Sequence, residues 1–124
     1  MTTTMTAKRI FIVEDEAILL CDLEDIVFQL GFDHVGSATS LDEAMDFLAS
    51  RAEIDLALLD LNLNGEPSDS IADHLLALGV PVLFVSGYGR CGVAERFAEC
   101  PVLQKPYDDQ KLAAALELIL STRT

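Results

Sequence analysis

Five short apolar runs recur along this chain, and each is followed by a stretch with helical periodicity. The runs cover residues 9–13, 34–38, 54–59, 81–85 and 101–104, the second being weaker because it carries His34, Gly36 and Ser37. They are near-continuous in apolar character rather than alternating, as strands buried on both faces are. Between them, Leu19, Leu23, Ile26 and Leu30 predict one helix, stopped by Gly31. Ser40-Leu-Asp-Glu43 is a capping box that opens a second helix through about Ala49, the serine accepting a backbone N–H and the glutamate reaching back. Residues 68–78 predict a third, with Ile71, Leu75 and Leu78 on one face. A short helix is expected around 93–98, and a last one capped by Asp108 with Leu112, Ala115, Leu116 and Ile119 on its stripe. Residues 61–67, rich in turn formers, read as a loop.

Strictly alternating strands and helices give an α/β domain with a parallel sheet and helices on both faces. At 124 residues the chain suits one domain, spanning 1–124 with a core of about 8–121 and no output domain. The formal net charge of −13 repels nucleic acid phosphates and anionic membranes, so no nucleic acid or membrane partner is expected. No run approaches the roughly 18–20 apolar residues of a membrane span. The N-terminus lacks the apolar core of a signal peptide, which makes the cytoplasm the expected location. Cys21, Cys91 and Cys100 form no C-x-x-C pair and read as reduced structural thiols; His34 and His74 have no metal-type spacing.

Four of the strands end in reactive polar residues. The first delivers Glu14 and Asp15, the third Asp60, the fourth Ser86 and the fifth Lys105. In an open parallel sheet the carboxyl ends share one edge, so these residues converge there. Three carboxylates in one pocket repel one another. A divalent cation resolves that conflict, and an all-oxygen site suits Mg²⁺ (or Mn²⁺). Asp15 and Asp60 are the direct ligands, Glu14 binds directly or through a water, and the backbone carbonyl of Asn62 completes the protein share. Asp60 is the candidate nucleophile toward a phosphoryl group, with Lys105 and the Ser86 hydroxyl on the phosphoryl oxygens. Each residue alone has an ordinary role as a helix cap, turn former or strand end; their joint order on alternating strands carries the signal.

These pieces resemble the response-regulator receiver domain along nearly the whole chain. The matching stretches are Ile-Phe-Ile-Val-Glu14-Asp15-Glu, Leu-Leu-Asp60-Leu-Asn-Leu, Phe-Val-Ser86-Gly and Gln-Lys105-Pro106. The resemblance implies a flavodoxin-like (βα)5 fold with strand order 2-1-3-4-5. It also implies phosphotransfer to Asp60 from a histidine kinase or a histidine phosphotransfer protein. Asp60-Leu-Asn-Leu-Asn-Gly65 and Pro81-Val-Leu-Phe-Val-Ser-Gly-Tyr-Gly89 further resemble the FAT GUY receivers of alphaproteobacteria, which include single-domain regulators and the receiver of a general-stress regulator with a sigma-like domain. That sigma-like part is not expected here.

Three positions depart from the family pattern. Asn64 stands where many receivers have proline, Ser86 where threonine is commoner, and Val102 where a switch aromatic is usual. The short span from Ser86 to Lys105, with Gly87, Gly89 and Gly92, implies a short or mobile fourth helix. Tyr88 either takes over as the moving switch aromatic or packs over the loop. The expected function is a phosphorylation-controlled signalling protein rather than an enzyme, acting on an unknown downstream protein or as a phosphate sink or relay. The alternative is a phosphorylation-independent interaction module. A haloacid-dehalogenase-type hydrolase fits poorly, since its nucleophile follows the first strand in an Asp-x-Asp motif and Asn62 fills the second-acid position here.

Overall fold

A computed structural model describes residues 7–121. The reading of the N-terminus and the outermost domain bounds, residues 1–6 and 122–124, lie outside the described residues. The chain runs β1 (Arg9–Val13), α1 (Ala17–Gln29), β2 (Asp33–Ala38), α2 (Leu41–Ala49), β3 (Leu56–Asp60), β4 (Asn62–Leu63), β5 (Glu66–Pro67), α3 (Asp69–Ala77), β6 (Val82–Ser86), a 3₁₀ turn (Glu95–Phe97), β7 (Val102–Gln104) and α4 (Asp109–Ser121). The main sheet has the order β2-β1-β3-β6-β7, and every pair in it is parallel. This is the expected 2-1-3-4-5 topology.

Strand residues alternate between two cores. Phe11, Val13, Ala57, Leu59, Val82 and Phe84 face α2 and α3, meeting Ala44, Leu48, Ile71 and Leu75. Ile10, Ile12, Leu56, Leu58, Leu83 and Val85 face α1 and α4, meeting Leu20, Leu23, Ile26, Leu112, Leu116 and Ile119. Both faces are covered, which is why the interior residues of β1, β3 and β6 are all apolar. Leu23 and Ile26 of the expected stripe of α1 are buried, Leu20 and Val27 complete it, Leu19 is half-buried and Leu30 is exposed. Leu78 is also exposed, because α3 ends before it. Cys21 lies on the exposed side of α1 and Cys100 is buried; all three cysteines are free.

Ser40 caps α2 as expected, its Oγ accepting from the Glu43 N–H at 3.1 Å. Glu43, however, reaches past Ser40 to the N–H and hydroxyl of Thr39, at 2.7 and 2.8 Å. Asp108 caps the last helix through the Lys111 N–H at 2.8 Å. The expected helix around 93–98 is only the 3₁₀ turn. Ala94 is extended ahead of it, and the Arg90 guanidinium donates to the carbonyls of Ala98 and Cys100, both at 2.9 Å, which ties the end of the turn to the preceding loop. Phe97 plugs the first core from this turn, its ring 5.4 Å from that of Phe84.

The weaker β2 strand has a physical reason for its glycine. Its pairing with β1 slips between Ile10 and Phe11, leaving Val35 as an extra residue and setting Gly36 opposite Phe11. The Phe47 ring, stacked on Phe11 at 4.5 Å, occupies the space a Cβ at position 36 would need. Gly36→Ala is therefore expected to destabilise the fold by about 1–3 kcal/mol through displacement of that ring, measurable as a lowered urea midpoint; an unchanged midpoint would contradict the packing described. No described helix is long and apolar enough to cross a membrane.

Candidate phosphoacceptor and cation site

Because all five strands run the same way, their C-terminal residues emerge at one edge. Glu14 follows β1 directly and stays buried, its N–H bonded to the carbonyl of Ala38 at 3.0 Å. Asp60 ends β3 and is also buried. Ser86 ends β6, and its carbonyl accepts from the Lys105 N–H at 2.9 Å, which registers the start of the next loop against it. Lys105 thereby enters the same pocket. Its Nζ lies 3.0 Å from Asp60 Oδ2 and 3.4 Å from Glu14 Oε1.

The three acids Glu14, Asp15 and Asp60 can each present an oxygen within 4.8 Å of the others. One ammonium does not balance three carboxyls at that spacing. Burial, followed by the nearness of Asp60, pushes the Glu14 carboxyl up to about 8. Glu14 Oε1 is buried without a hydrogen-bond partner, although Glu14 Oε2 accepts from the Glu16 N–H at 3.1 Å. Burial also works against charge on Asp15, but its contacts with Glu14 and the Asn64 N–H hold it below the ordinary carboxylate range. Partial burial opposes the charge of Lys105 as well; Asp60 and Glu14 outweigh it and hold the ammonium above its ordinary value. An orphaned buried carboxylate oxygen in an all-oxygen set fits a hard divalent cation of the Mg²⁺ class.

Beside the acids lies a cleft of about 380 Å³ lined by Asp60, Asn62, Ser86, Gly87, Tyr88 and Cys91 among others. Ser86 Oγ accepts from the Tyr88 N–H at 3.0 Å. The Tyr88 ring is 81% exposed, so it stands at the rim and does not pack over the loop. Val102, in β7, is half-buried against the first core. The arrangement brings together Glu14, Asp15, Asp60 and Lys105 by side chain, and places Ser86 and Tyr88 on the wall of the cleft.

The stretch after Asp60, expected as a loop, holds two short strands. Residues Asn62–Leu63 and Glu66–Pro67 pair as an antiparallel hairpin. Its two connecting residues, Asn64 and Gly65, have φ of +54° and +90°, the turn that an Asn-Gly pair favours. The Asn64 N–H at the tip reaches Asp15 Oδ2 at 2.9 Å.

The pattern of the response regulator receiver domain matches residues 10–117. The phyllosphere-induced regulator PhyR of Methylorubrum extorquens is 31% identical over 117 residues, which are 92% of this chain and 44% of PhyR. The transcriptional regulatory protein PdtaR of Mycobacterium tuberculosis is 26% identical over 118 residues, 92% of this chain and 57% of PdtaR. The chain thus spans about half the length of the curated relatives it matches. Among solved structures, SdrG from Sphingomonas melonis superimposes with a TM-score of 0.81 at 36% identity, over 94% of this chain and 99% of SdrG. The receiver domain of Erythrobacter litoralis PhyR gives 0.82 at 25% identity, over 93% of this chain and 91% of that one. With the fold, the acidic edge and these likenesses in agreement, the chain belongs to the response regulator receiver domain family and is a receiver of the FAT GUY type.

Proposed function

We propose that this receiver accepts a phosphoryl group on Asp60 in a Mg²⁺-dependent reaction and signals through contacts with another protein. The observation that carries this reading is the contact of Lys105 with Asp60 at 3.0 Å beside two further acids. A carboxylate oxygen of Asp60 forms the new P–O bond as the bond between phosphorus and the donor breaks. Against a histidine donor, the leaving nitrogen belongs to a kinase or phosphotransfer protein.

Glu14, Asp15, Asp60 and the backbone carbonyl of Asn62 are the residues that would hold the cation. When bound, it supplies positive charge against the phosphoryl oxygens. Lys105 supplies a second positive charge, and the Ser86 hydroxyl, which already accepts from the Tyr88 N–H, keeps its proton free to donate to a phosphoryl oxygen. Formation of that bond would pull on the Tyr88 segment, which links the chemistry to a surface a partner can read.

Incubation with acetyl phosphate and Mg²⁺, followed by intact mass measurement, tests the reading. One phosphoryl group is expected on wild type and none on Asp60→Asn. An unmodified wild type would favour the phosphorylation-independent module instead. Tyr88 at the rim is placed to hinder an attacking water, so Tyr88→Ala should shorten the phosphoryl lifetime by several-fold. An equal or longer lifetime, followed as decay of the phosphorylated mass, would remove Tyr88 from this role.

A further inference from the structure

We propose that the β4–β5 hairpin is a positioning device for Asp15, and that Asn62, Asn64 and Gly65 set the cation affinity of this receiver through it. The inference rests on the cation-dependent reading above and deepens it.

The three acids are not held alike. Glu14 is fixed by strand burial and by the Glu16 N–H. Asp60 is fixed at the end of β3, with Lys105 on one oxygen and the Asn62 N–H on the other at 3.3 Å. Asp15 lies beyond the end of β1 and is half-exposed. It meets the hairpin tip through the Asn64 N–H, a residue 49 positions away. That N–H points at the carboxylate only while the turn keeps its shape.

The shape has two supports. Asn62 Oδ1 accepts from the Gly65 N–H at 2.7 Å, closing the turn from inside. Leu63, 2% exposed, anchors the hairpin in the first core. Asn64 and Gly65 both sit at positive φ, a region that asparagine tolerates and glycine occupies freely. Asn62 thus acts twice, by its backbone N–H toward Asp60 and by its side chain on the turn that holds Asp15. A hairpin tied to both acids fixes their separation before any cation arrives. Preorganised ligands bind more tightly because less freedom is lost on binding.

A matched pair of glycines makes the test clean. Gly65 and Gly31 both have φ of +90°, and at neither would an added Cβ touch anything within 4 Å. Gly65→Ala and Gly31→Ala therefore introduce similar backbone strain, one at the hairpin tip and one after α1. Titration of the full chain with Mg²⁺ by calorimetry should show Gly65→Ala weakened about threefold to tenfold, the worth of one hydrogen bond. Gly31→Ala should stay within about twofold of wild type while showing a similar loss of stability in urea. Gly65→Asn, which tolerates positive φ, should recover most of the affinity. Wild-type affinity in Gly65→Ala, or an equal loss in Gly31→Ala, would overturn the positioning role alone. A wild type that takes up no Mg²⁺ would overturn the cation reading, and the positioning role with it.

Discussion

Replacing Glu14 with glutamine is expected to raise the thermal stability of the metal-free protein at pH 8. Glu14 is 1% exposed, its Oε1 has no hydrogen-bond partner, and the nearest ammonium stands 3.4 Å away. Its carboxyl is pushed up from 4.5 to about 8, first by burial and then by Asp60. The folded protein therefore holds a proton that the unfolded chain releases. This group's contribution to stability is full below about pH 4.5 and is lost as pH rises through about 8. The whole effect is bounded by roughly 5 kcal/mol, and a realistic share is about 2 kcal/mol. Glutamine keeps the shape and cannot ionise. Wild type and variant should melt alike near pH 5 and diverge by roughly 5–10 °C at pH 8.

Other carboxyls do not confuse the window. Asp55 is held low by Arg9, Asp73 by Arg96, and Glu43 by Thr39. Their contributions are lost only as pH falls through their folded values, on the acid side. Mg²⁺ at pH 8 should stabilise wild type markedly and Glu14→Gln much less, since a cation that binds only the folded state stabilises it. A wild-type melting temperature that is flat from pH 5 to 8 without Mg²⁺ would contradict the electrostatic picture of the pocket.

The second large effect is expected at Lys105. Lys105→Ala removes the ammonium that contacts both Asp60 and Glu14. In metal-free protein this leaves two buried carboxyls without their cation, a change that typically costs about 3–5 kcal/mol. Glu14 already holds its proton at pH 7, so the change falls chiefly on Asp60, and a loss of about 2 kcal/mol is expected. Mg²⁺ should restore much of that stability, because it supplies the missing positive charge. It should not restore phosphorylation. A group that meets charge developing on a transferring phosphoryl is worth about 10²–10³ in rate, and acetyl phosphate labelling should slow by about that factor. Stability and rate thus separate in this variant. A labelling rate within a few-fold of wild type would place Lys105 in a structural role only.

The frame of this protein is legible in its sequence because a parallel sheet covered on both faces requires apolar strands, and the polar residue at the end of four of them marks the common edge. Arg9–Val13 into Glu14 and Leu56–Leu59 into Asp60 are the plainest cases. Helix phase was less legible. In α1, Ala17-Ile-Leu-Leu-Cys21 is apolar all round, and Ile18 and Phe28 remain exposed, so spacing alone does not choose between Leu19 and Leu20. The stretch 93–98, expected as a helix, forms only a 3₁₀ turn. There Ala94 is extended, and the N–H groups of Phe97 and Ala98 bond three residues back, to Ala94 and Glu95.

The hairpin at Asn62–Pro67 did carry a signal, the Asn64-Gly65 pair, but its strands are two residues long and show no alternation. Consequently the residues of the acidic pocket were anticipated, while the tie from Asn64 to Asp15 was not. Nor does a sequence reveal that one oxygen of Glu14 is left without a partner. That depends on how far Lys105 can reach, which only the packed pocket decides.

Borohydride reduces an aspartyl phosphate to homoserine, which marks the modified residue permanently. After treatment with acetyl phosphate and Mg²⁺, then borohydride, tandem mass spectrometry of the peptide spanning residues 56–70 should find homoserine at position 60, and only when Mg²⁺ was present. Homoserine at no position, or reduction at Glu14 or Asp15 instead of Asp60, would contradict the account.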